Sequence, residues 1–399
     1  MTDLAENENP VKLNAQERAQ LREEIKELCA IFGNEYWREL DISREYPHEF
    51  VDALTKSRYL SVLIPKKYGG IGYGLTEASI ILEEIHRSGG HAAACHAQMY
   101  TMGSLLRYGS EEQKDKYLPA IAEGKLRLQA FSITEPEAGS NTTAIKTFAK
   151  KTEDGYIING HKNWTSRIQQ SDLLLLLART TPLEKVKKKS DGISLFLVDL
   201  REIRENQPYA MKVEPVRTMF NYATNKIWYE NMRIPLDSVI GEEGKGFKYV
   251  LDGLNAERIL LASETIGDGY YFIDKAVEYT KNREVFNRKI GQNQGIQFPI
   301  ARAYASIKAA DQLRYKAAEK FDNEENCGEE ANMAKLLSSE ASWEAGNVCM
   351  NTFGGNGFIV ENDIERKFRE TRMYQVAPVN NNLILSYIGE HVLKMPRSY

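Results

Sequence analysis

FKYVLDGLNAERILLASETI, residues 247–266, decides how the chain is read. Phe247, Val250, Leu254 and Leu261 recur at intervals that place them on one stripe of a helix, and the missing member of the series is Glu257. A carboxylate interrupts an apolar stripe, and ionised carboxylates are rarely taken into a core unless something pairs with them or uses them. Two readings stand side by side. Glu257 is an ion-pairing or boundary residue beside Arg258, or it is a base in an apolar pocket whose pKa desolvation raises into a useful range.

The rest of the chain frames that choice. It has 399 residues, 42% of them hydrophobic, enough for two or three domains with a real core. A net charge of -4 points away from nucleic acid and from an anionic membrane surface. The opening MTDLAENENP has neither the basic and apolar regions of a secretory signal nor the pattern of a transit peptide. The longest apolar run, Leu173 to Ala178, is of strand length, so no membrane span is expected. Cys29, Cys95, Cys327 and Cys349 form no CxxC pair, which fits reduced thiols and a cytoplasmic setting. His91 and His96 lack further ligands nearby, so no metal site is expected.

Upstream of residue 125 the periodicity is helical, as in AQERAQLREEIKELCAIFGNEYWREL and EASIILEEIHRSGG, and Ser110 with Gln113 forms a capping box opening another helix. The turn-rich LIPKKYGGIGYG lies between, without the strand or ribose-binding acid that a dinucleotide loop requires. From about Leu126 short β-branched and aromatic segments alternate with Gly, Asn, Asp and Pro clusters: LRLQAFSIT, GYIINGHKNWTS, DLLLLLART, GISLFLVDL, AMKVEPV and TNKIWYENMRI. PLEKVKKKSDG, with Lys185, Lys187, Lys188 and Lys189, joins two of them as a solvated loop or as a clamp for a phosphorylated ligand. After Gly246 long helical periodicity returns. The order predicts a segregated α+β fold: a helical domain over 1–125, a β-domain over 126–243 and a helical bundle over 244–399.

At FSITEPEAGSNTTAIKT, residues 131–147, the sequence resembles the acyl-CoA dehydrogenases. YGGIGYG, GYIINGHKNWTS, NREVFNRKIG and TFGGNGFIVENDIERKFRETRMYQ resemble that family's blocks in the same order. The resemblance implies an N-terminal helical domain, a central β-domain and a C-terminal four-helix bundle. It also implies non-covalent FAD, α,β-dehydrogenation of an acyl-CoA thioester to the trans-2-enoyl-CoA, and electron transfer to an electron-transferring flavoprotein. Variants on the same fold use another acceptor or carrier: acyl-CoA oxidases, flavin monooxygenases and acyl-carrier-protein dehydrogenases.

Carried over by position, the resemblance implies that Phe131, Ile133 and Thr134 line the flavin ring and that Gly139 and Ser140 meet ligand and pyrophosphate. Trp164 and Ser166 pack on the isoalloxazine, for which an aromatic plane is a natural partner. Arg283, Phe286 and Gln294, with Asn351, Gly354 and Gly355, match positions that reach the FAD of a neighbouring subunit, which implies a dimer of dimers. Asn351 stands where glutamine is usual. Ala92, Ala93 and His96 are candidates for the floor of the acyl pocket.

One departure is informative. Many relatives place the catalytic glutamate in a Tyr-Glu-Gly-Thr turn, and here those positions are Ala377, Pro378, Val379 and Asn380. A second branch, resembling the isovaleryl and long-chain enzymes, carries its base in a Leu-Asp-X-Glu-Arg motif, here Leu254, Asn255, Ala256, Glu257 and Arg258. Glu257 is thus the expected base, Arg258 its orienting neighbour, and Leu254, Asn255 and Arg258 expected substrate contacts. Pro378 has no N–H to offer the thioester carbonyl, which leaves Val379 or the flavin's ribityl hydroxyl. Asn380 and Asn382 suit hydrogen bonding to the cofactor in that turn.

Overall fold

The structure, a computed structural model, describes residues 10–397. The acidic opening read above, up to residue 9, lies outside the described residues. Six helices come first: α1 (Ala15–Ala30), α2 (Asn34–Ser43), α3 (His48–Lys56), α4 (Leu75–Arg87), α5 (Ala93–Tyr108) and α6 (Glu111–Ala122). The expected capping box opens α6: Ser110 Oγ accepts from Gln113 N at 3.2 Å, and Gln113 Oε1 accepts from Ser110 N at 3.0 Å.

Strands follow: β1 (Leu128–Ser132), β2 (Phe148–Lys151), β3 (Gly155–Ser166), β4 (Leu173–Arg179) and β5 (Ile193–Asp199). After helix α7 (Leu200–Asn206) come β6 (Met211–Pro215) and β7 (Thr224–Pro235). The middle region is therefore not purely strands. α7 is too short for its period to show, although Asp199 caps it by accepting from Arg201 N. β2, with two solvent-facing lysines among four residues, also escapes the pattern. β3 pairs antiparallel with β2 and β7, β7 with β6, and β4 with β5, while β1 runs parallel to β4. Every residue of β4 is buried, as a doubly covered strand requires.

The remaining chain is helical: α8 (Gly246–Asn282), a small hairpin of β8 (Glu284–Val285) and β9 (Arg288–Lys289), then α9 (Gln294–Asp322), α10 (Gly328–Phe353), α11 (Ile364–Thr371) and α12 (Asn381–Tyr387). α8, α9 and α10 form the bundle, and the short α12, prolonged by a wide turn to Val392, is its fourth member. α8 is the hub, since it packs on α10 and α9 on one side and on α4 and α5 on the other. Its approach to α4 is close: a Cβ on Gly267 would come within 2.3 Å of the Glu83 carbonyl oxygen, so glycine is required there. No described helix is long and apolar enough to cross a membrane.

Candidate active site

α8 delivers Glu257 into the space where the helical and β regions meet. Val250 and Leu261 of the expected stripe are buried, Phe247 and Leu254 half-buried, and Glu257 is only 9% exposed. No hydrogen bond reaches its carboxylate among the described residues. Burial raises its pKa from an ordinary 4.5 to about 7, against the attraction of His96 and Arg258 and with repulsion from Glu264 adding to the rise. Arg258 makes no hydrogen bond to it among the described residues. The guanidinium hydrogen-bonds Asn255 Oδ1 at 3.0 Å, so both residues expected to meet substrate hold each other along the helix.

In the sheet, β3 carries a bulge. Its register with β7 slips between Lys162 and Thr165, which throws Asn163 and Trp164 out of the ladder. Trp164 sits at φ 63°, a conformation that costs a bulky residue energy, and leaves its indole 58% exposed. The bulge is pinned to the end of β1, since Asn163 N donates to the Thr134 carbonyl at 2.8 Å and Lys162 Nζ to the Ile133 carbonyl at 2.7 Å. Buried Lys162 also pairs with Glu135 at 3.0 Å, and Glu135 accepts from the Lys146 and Thr147 N–H groups at 2.6 and 2.9 Å. Burial lowers Lys162 to about 8 against the pull of Glu135.

This scaffold gathers Phe131, Ile133, Thr134, Trp164 and Ser166 at one junction. The residues fit a flat ring with a polar edge: an open indole face, a Thr134 hydroxyl for which no hydrogen bond forms among the described residues, and an Asn163 Oδ1 that is buried and, among them, unpaired. Ser166 is less free, as its hydroxyl lies 3.0 Å from Thr224 Oγ1. Gly139 and Ser140 are exposed on the loop beyond β1, and a Cβ on Gly139 would meet nothing within 4 Å.

The turn after α11 closes the site. Asn380 caps α12, its Oδ1 accepting from Leu383 N at 2.9 Å while its Nδ2 donates to Ser140 Oγ at 2.9 Å. Residues distant in sequence are joined here. Buried Lys335, unnoticed in the sequence, fixes the turn from α10 by donating to the Val379 carbonyl and to Asn381 Oδ1, both at 2.7 Å. Burial, with repulsion from Arg258, lowers it to about 7. Pro378 is exposed, and the Val379 N–H has no intramolecular partner among the described residues. Asn382 faces outward on the first turn of α12, away from the Ser140 contact that Asn380 makes.

At the start of α5, Ala92 and Ala93 are buried, and His96 Nδ1 lies 3.0 Å from Oε1 of the fully buried Glu264. Tyr100 links this helix to β1, its ring 5.2 Å from His96 and 5.9 Å from Phe131. Arg283, Phe286 and Gln294, by contrast, lie exposed on the α8–α9 connection, Phe286 by 95%. Asn351, Gly354 and Gly355 are exposed at the end of α10 beside them, for Phe353 stacks on Tyr279 at 4.1 Å and Asn356 Nδ2 donates to its hydroxyl at 2.8 Å. These residues make one outer patch, separate from the Glu257 and Trp164 group within the chain.

The acyl-CoA dehydrogenase N-terminal, middle and C-terminal domain families match residues 15–125, 130–231 and 244–393. The chain belongs to the acyl-CoA dehydrogenase family. It is 31% identical to the acyl-CoA dehydrogenase FadE12 of Mycobacterium bovis over 97% of this chain and 98% of that protein. It is 34% identical to CarC, a subunit of the caffeyl-CoA reductase-Etf complex of Acetobacterium woodii, over 89% of this chain and 92% of that one. Among solved structures, butyryl-CoA dehydrogenase of Megasphaera elsdenii superposes with a TM-score of 0.86 at 26% identity, covering 96% of this chain and 99% of that chain. Oxidoreductase chemistry on an acyl-CoA dehydrogenase scaffold is thereby established for the chain.

Proposed function

We propose that this protein is an FAD-dependent acyl-CoA dehydrogenase that oxidises a short, branched or medium acyl-CoA to its trans-2-enoyl-CoA, with Glu257 as the base. The observation that carries the reading is the Glu257 carboxyl, buried, free of hydrogen bonds and shifted to about 7. A base poised near neutrality abstracts a proton efficiently and gives it up again for the next turnover. FAD, when bound, would supply the acceptor for the hydride of the β-carbon, so that loss of the α-proton and the β-hydride leaves the Cα–Cβ bond double.

The chain's own residues do the rest. Trp164 and Thr134 provide the surface and polar edge for the ring, and the Asn380–Ser140 bridge draws the turn over the site. Val379 N–H donates to the thioester carbonyl, taking the place that Pro378 cannot fill, while Lys335 holds Val379 from behind. Glu257 takes the α-proton on the face opposite the ring. The outer patch of Arg283, Phe286, Gln294, Asn351, Gly354 and Gly355 reaches the cofactor of a second copy in a dimer of dimers. Electrons pass to an electron-transferring flavoprotein in the cytoplasm, a partner class supported by the name of the CarC complex.

Anaerobic titration of the holoenzyme with saturated acyl-CoAs tests the reading. Bleaching of the flavin is expected. A flavin left oxidised by every saturated thioester, or full activity in Glu257→Gln, would overturn it. The same carboxyl, half protonated near neutrality, also favours a second reading in which Glu257 protonates the α-carbon of an enoyl-CoA, as in the reductase that CarC serves. Faster turnover of enoyl-CoA with reduced flavoprotein than of acyl-CoA with oxidised flavoprotein would select it.

A further inference from the structure

Lys162 on β3 is fully buried, and nothing in the chemistry above uses its charge. Desolvating an ammonium is costly, and burial lowers its pKa from 10.5 to about 8 against the pull of Glu135. A neutral hydrogen-bonding side chain would tie two strands together without that cost. What the ammonium touches gives the charge a use.

Two neighbouring residues of β3 grip one residue beyond the end of β1. Lys162 Nζ donates to the Ile133 carbonyl at 2.7 Å, and Asn163 N donates to the Thr134 carbonyl at 2.8 Å. Thr134 is thus fixed through the peptide groups on both its sides. The Ile133 carbonyl and the Thr134 N–H belong to one peptide group, so an ammonium that polarises the carbonyl makes that N–H a stronger donor. The Thr134 N–H forms no hydrogen bond among the described residues and is free to use that strength.

The surroundings leave the ammonium directed at this peptide. Its ion-pair partner Glu135, at 3.0 Å, is itself tied down by the N–H groups of Lys146 at 2.6 Å and Thr147 at 2.9 Å. Arg179 on β4, the other cation that acts on Glu135, gives its guanidinium to the carbonyls of Thr143 at 2.6 Å, Lys189 at 2.8 Å and Ile145 at 3.1 Å. His161, next along β3, turns to the opposite face and stacks on Trp228 at 4.4 Å. Tyr229 of β7, whose pKa burial raises, donates to Ser132 Oγ at 3.0 Å.

Resting on the reading that Thr134 meets the polar edge of the flavin ring, we propose that Lys162 is a positioning residue that sets the reduction potential of the bound FAD, acting through the Ile133–Thr134 peptide. Reduction adds negative charge to the ring, so a donor strengthened by a cation favours the reduced form over the oxidised one. Lys162 thereby tilts the cofactor toward accepting electrons, and Asn163 keeps Thr134 in register while it does so.

The midpoint potential of the holoenzyme, read by dye-coupled reductive titration without substrate, tests the proposal. The variant combines Lys162→Met with Glu135→Gln, which removes both charges at nearly constant volume and leaves no buried ion unpaired. Its oxidised-to-reduced ratio should tilt about 10-fold toward oxidised flavin, the size of one charge-assisted hydrogen bond and a drop of about 30 mV for a two-electron couple. An unchanged or raised potential in a variant that holds FAD marks a purely structural clamp and overturns the proposal. Should the variant fail to fold or to hold FAD, the native protein decides. With Lys162 losing its proton near pH 8, the potential should fall with pH more steeply above pH 8 than below it, and a slope that stays the same or flattens there overturns the proposal. Thr134→Val separates this claim from the reading beneath it. A changed visible spectrum of the bound FAD in Thr134→Val, with the potential of the double variant unchanged, overturns the role of Lys162 alone. A spectrum like that of the native protein overturns the placement of the ring at Thr134, and the proposal with it.

Discussion

Glu257 and Glu264 stand seven residues apart on α8, on the same face and both buried, yet they do opposite things. Burial raises both carboxyls. At Glu264 the 3.0 Å contact with His96, helped by His86 and His91, outweighs burial and holds the group down at about 2. At Glu257 the attraction of His96 and Arg258 falls short of burial, and the group rises to about 7. The difference is a partner at bonding distance. A buried carboxylate with one becomes part of the structure, and a buried carboxylate without one stays available for proton exchange.

The largest effect should come from removing the available group. Glu257→Gln keeps the shape and the flavin but should slow flavin reduction by about 10²- to 10⁴-fold, measured by anaerobic stopped flow. The same swap at the partnered group should hit stability instead. Glu264→Gln removes the carboxylate from its 3.0 Å contact with His96 and should cost about 1–3 kcal/mol in urea unfolding at pH 7.

The comparison also has a pH signature. Between an unfolded pKa of about 4.5 and a folded value of about 7, the folded state holds a proton on Glu257 that the unfolded chain has released, so stability falls as pH rises through that window. Glu257→Gln should therefore be more stable than the native protein above pH 7, by on the order of 3 kcal/mol, and no more stable below pH 4.5. Glu264 runs the other way: its depressed value stabilises the fold above the unfolded pKa and is lost as pH falls toward about 2. A stability advantage of Glu257→Gln over the native protein that grows on acidification would break the contrast. The smallest effect belongs to the turn that takes the place of the usual glutamate. Asn380→Ala loses both the cap of α12 and the Ser140 bridge and should cost about 1 kcal/mol in thermal unfolding.

Much of this was legible in the sequence where the signal was local. GYIINGHKNWTS becomes β3 over the same residues, the helical order around the strands holds, and the carboxylate that interrupts the apolar stripe is buried on α8. What stayed hidden depends on pairings across the chain. Nothing local in the sequence marks Glu264 or Lys335, because their partners, His96 on α5 and the 377–380 turn, come from distant parts of the chain. The Trp164 bulge was equally unreadable, because its cause is the hook of Asn163 onto β1, set by Lys162 and Glu135. Arg258 shows a further pairing that the sequence alone does not mark: its guanidinium hydrogen-bonds Asn255 Oδ1 one turn back while its charge attracts Glu257.

The central claim is that Glu257 is the base and titrates near neutrality because it lacks a bonded partner. The pH profile of flavin reduction in single-turnover mixing with a saturated acyl-CoA tests it most directly. The rate in the native protein should climb as pH rises through about 7 and level off above it, and Glu257→Gln should abolish both the climb and most of the rate. A profile flat from pH 5 to pH 9, or the same climb retained in Glu257→Gln, would contradict it.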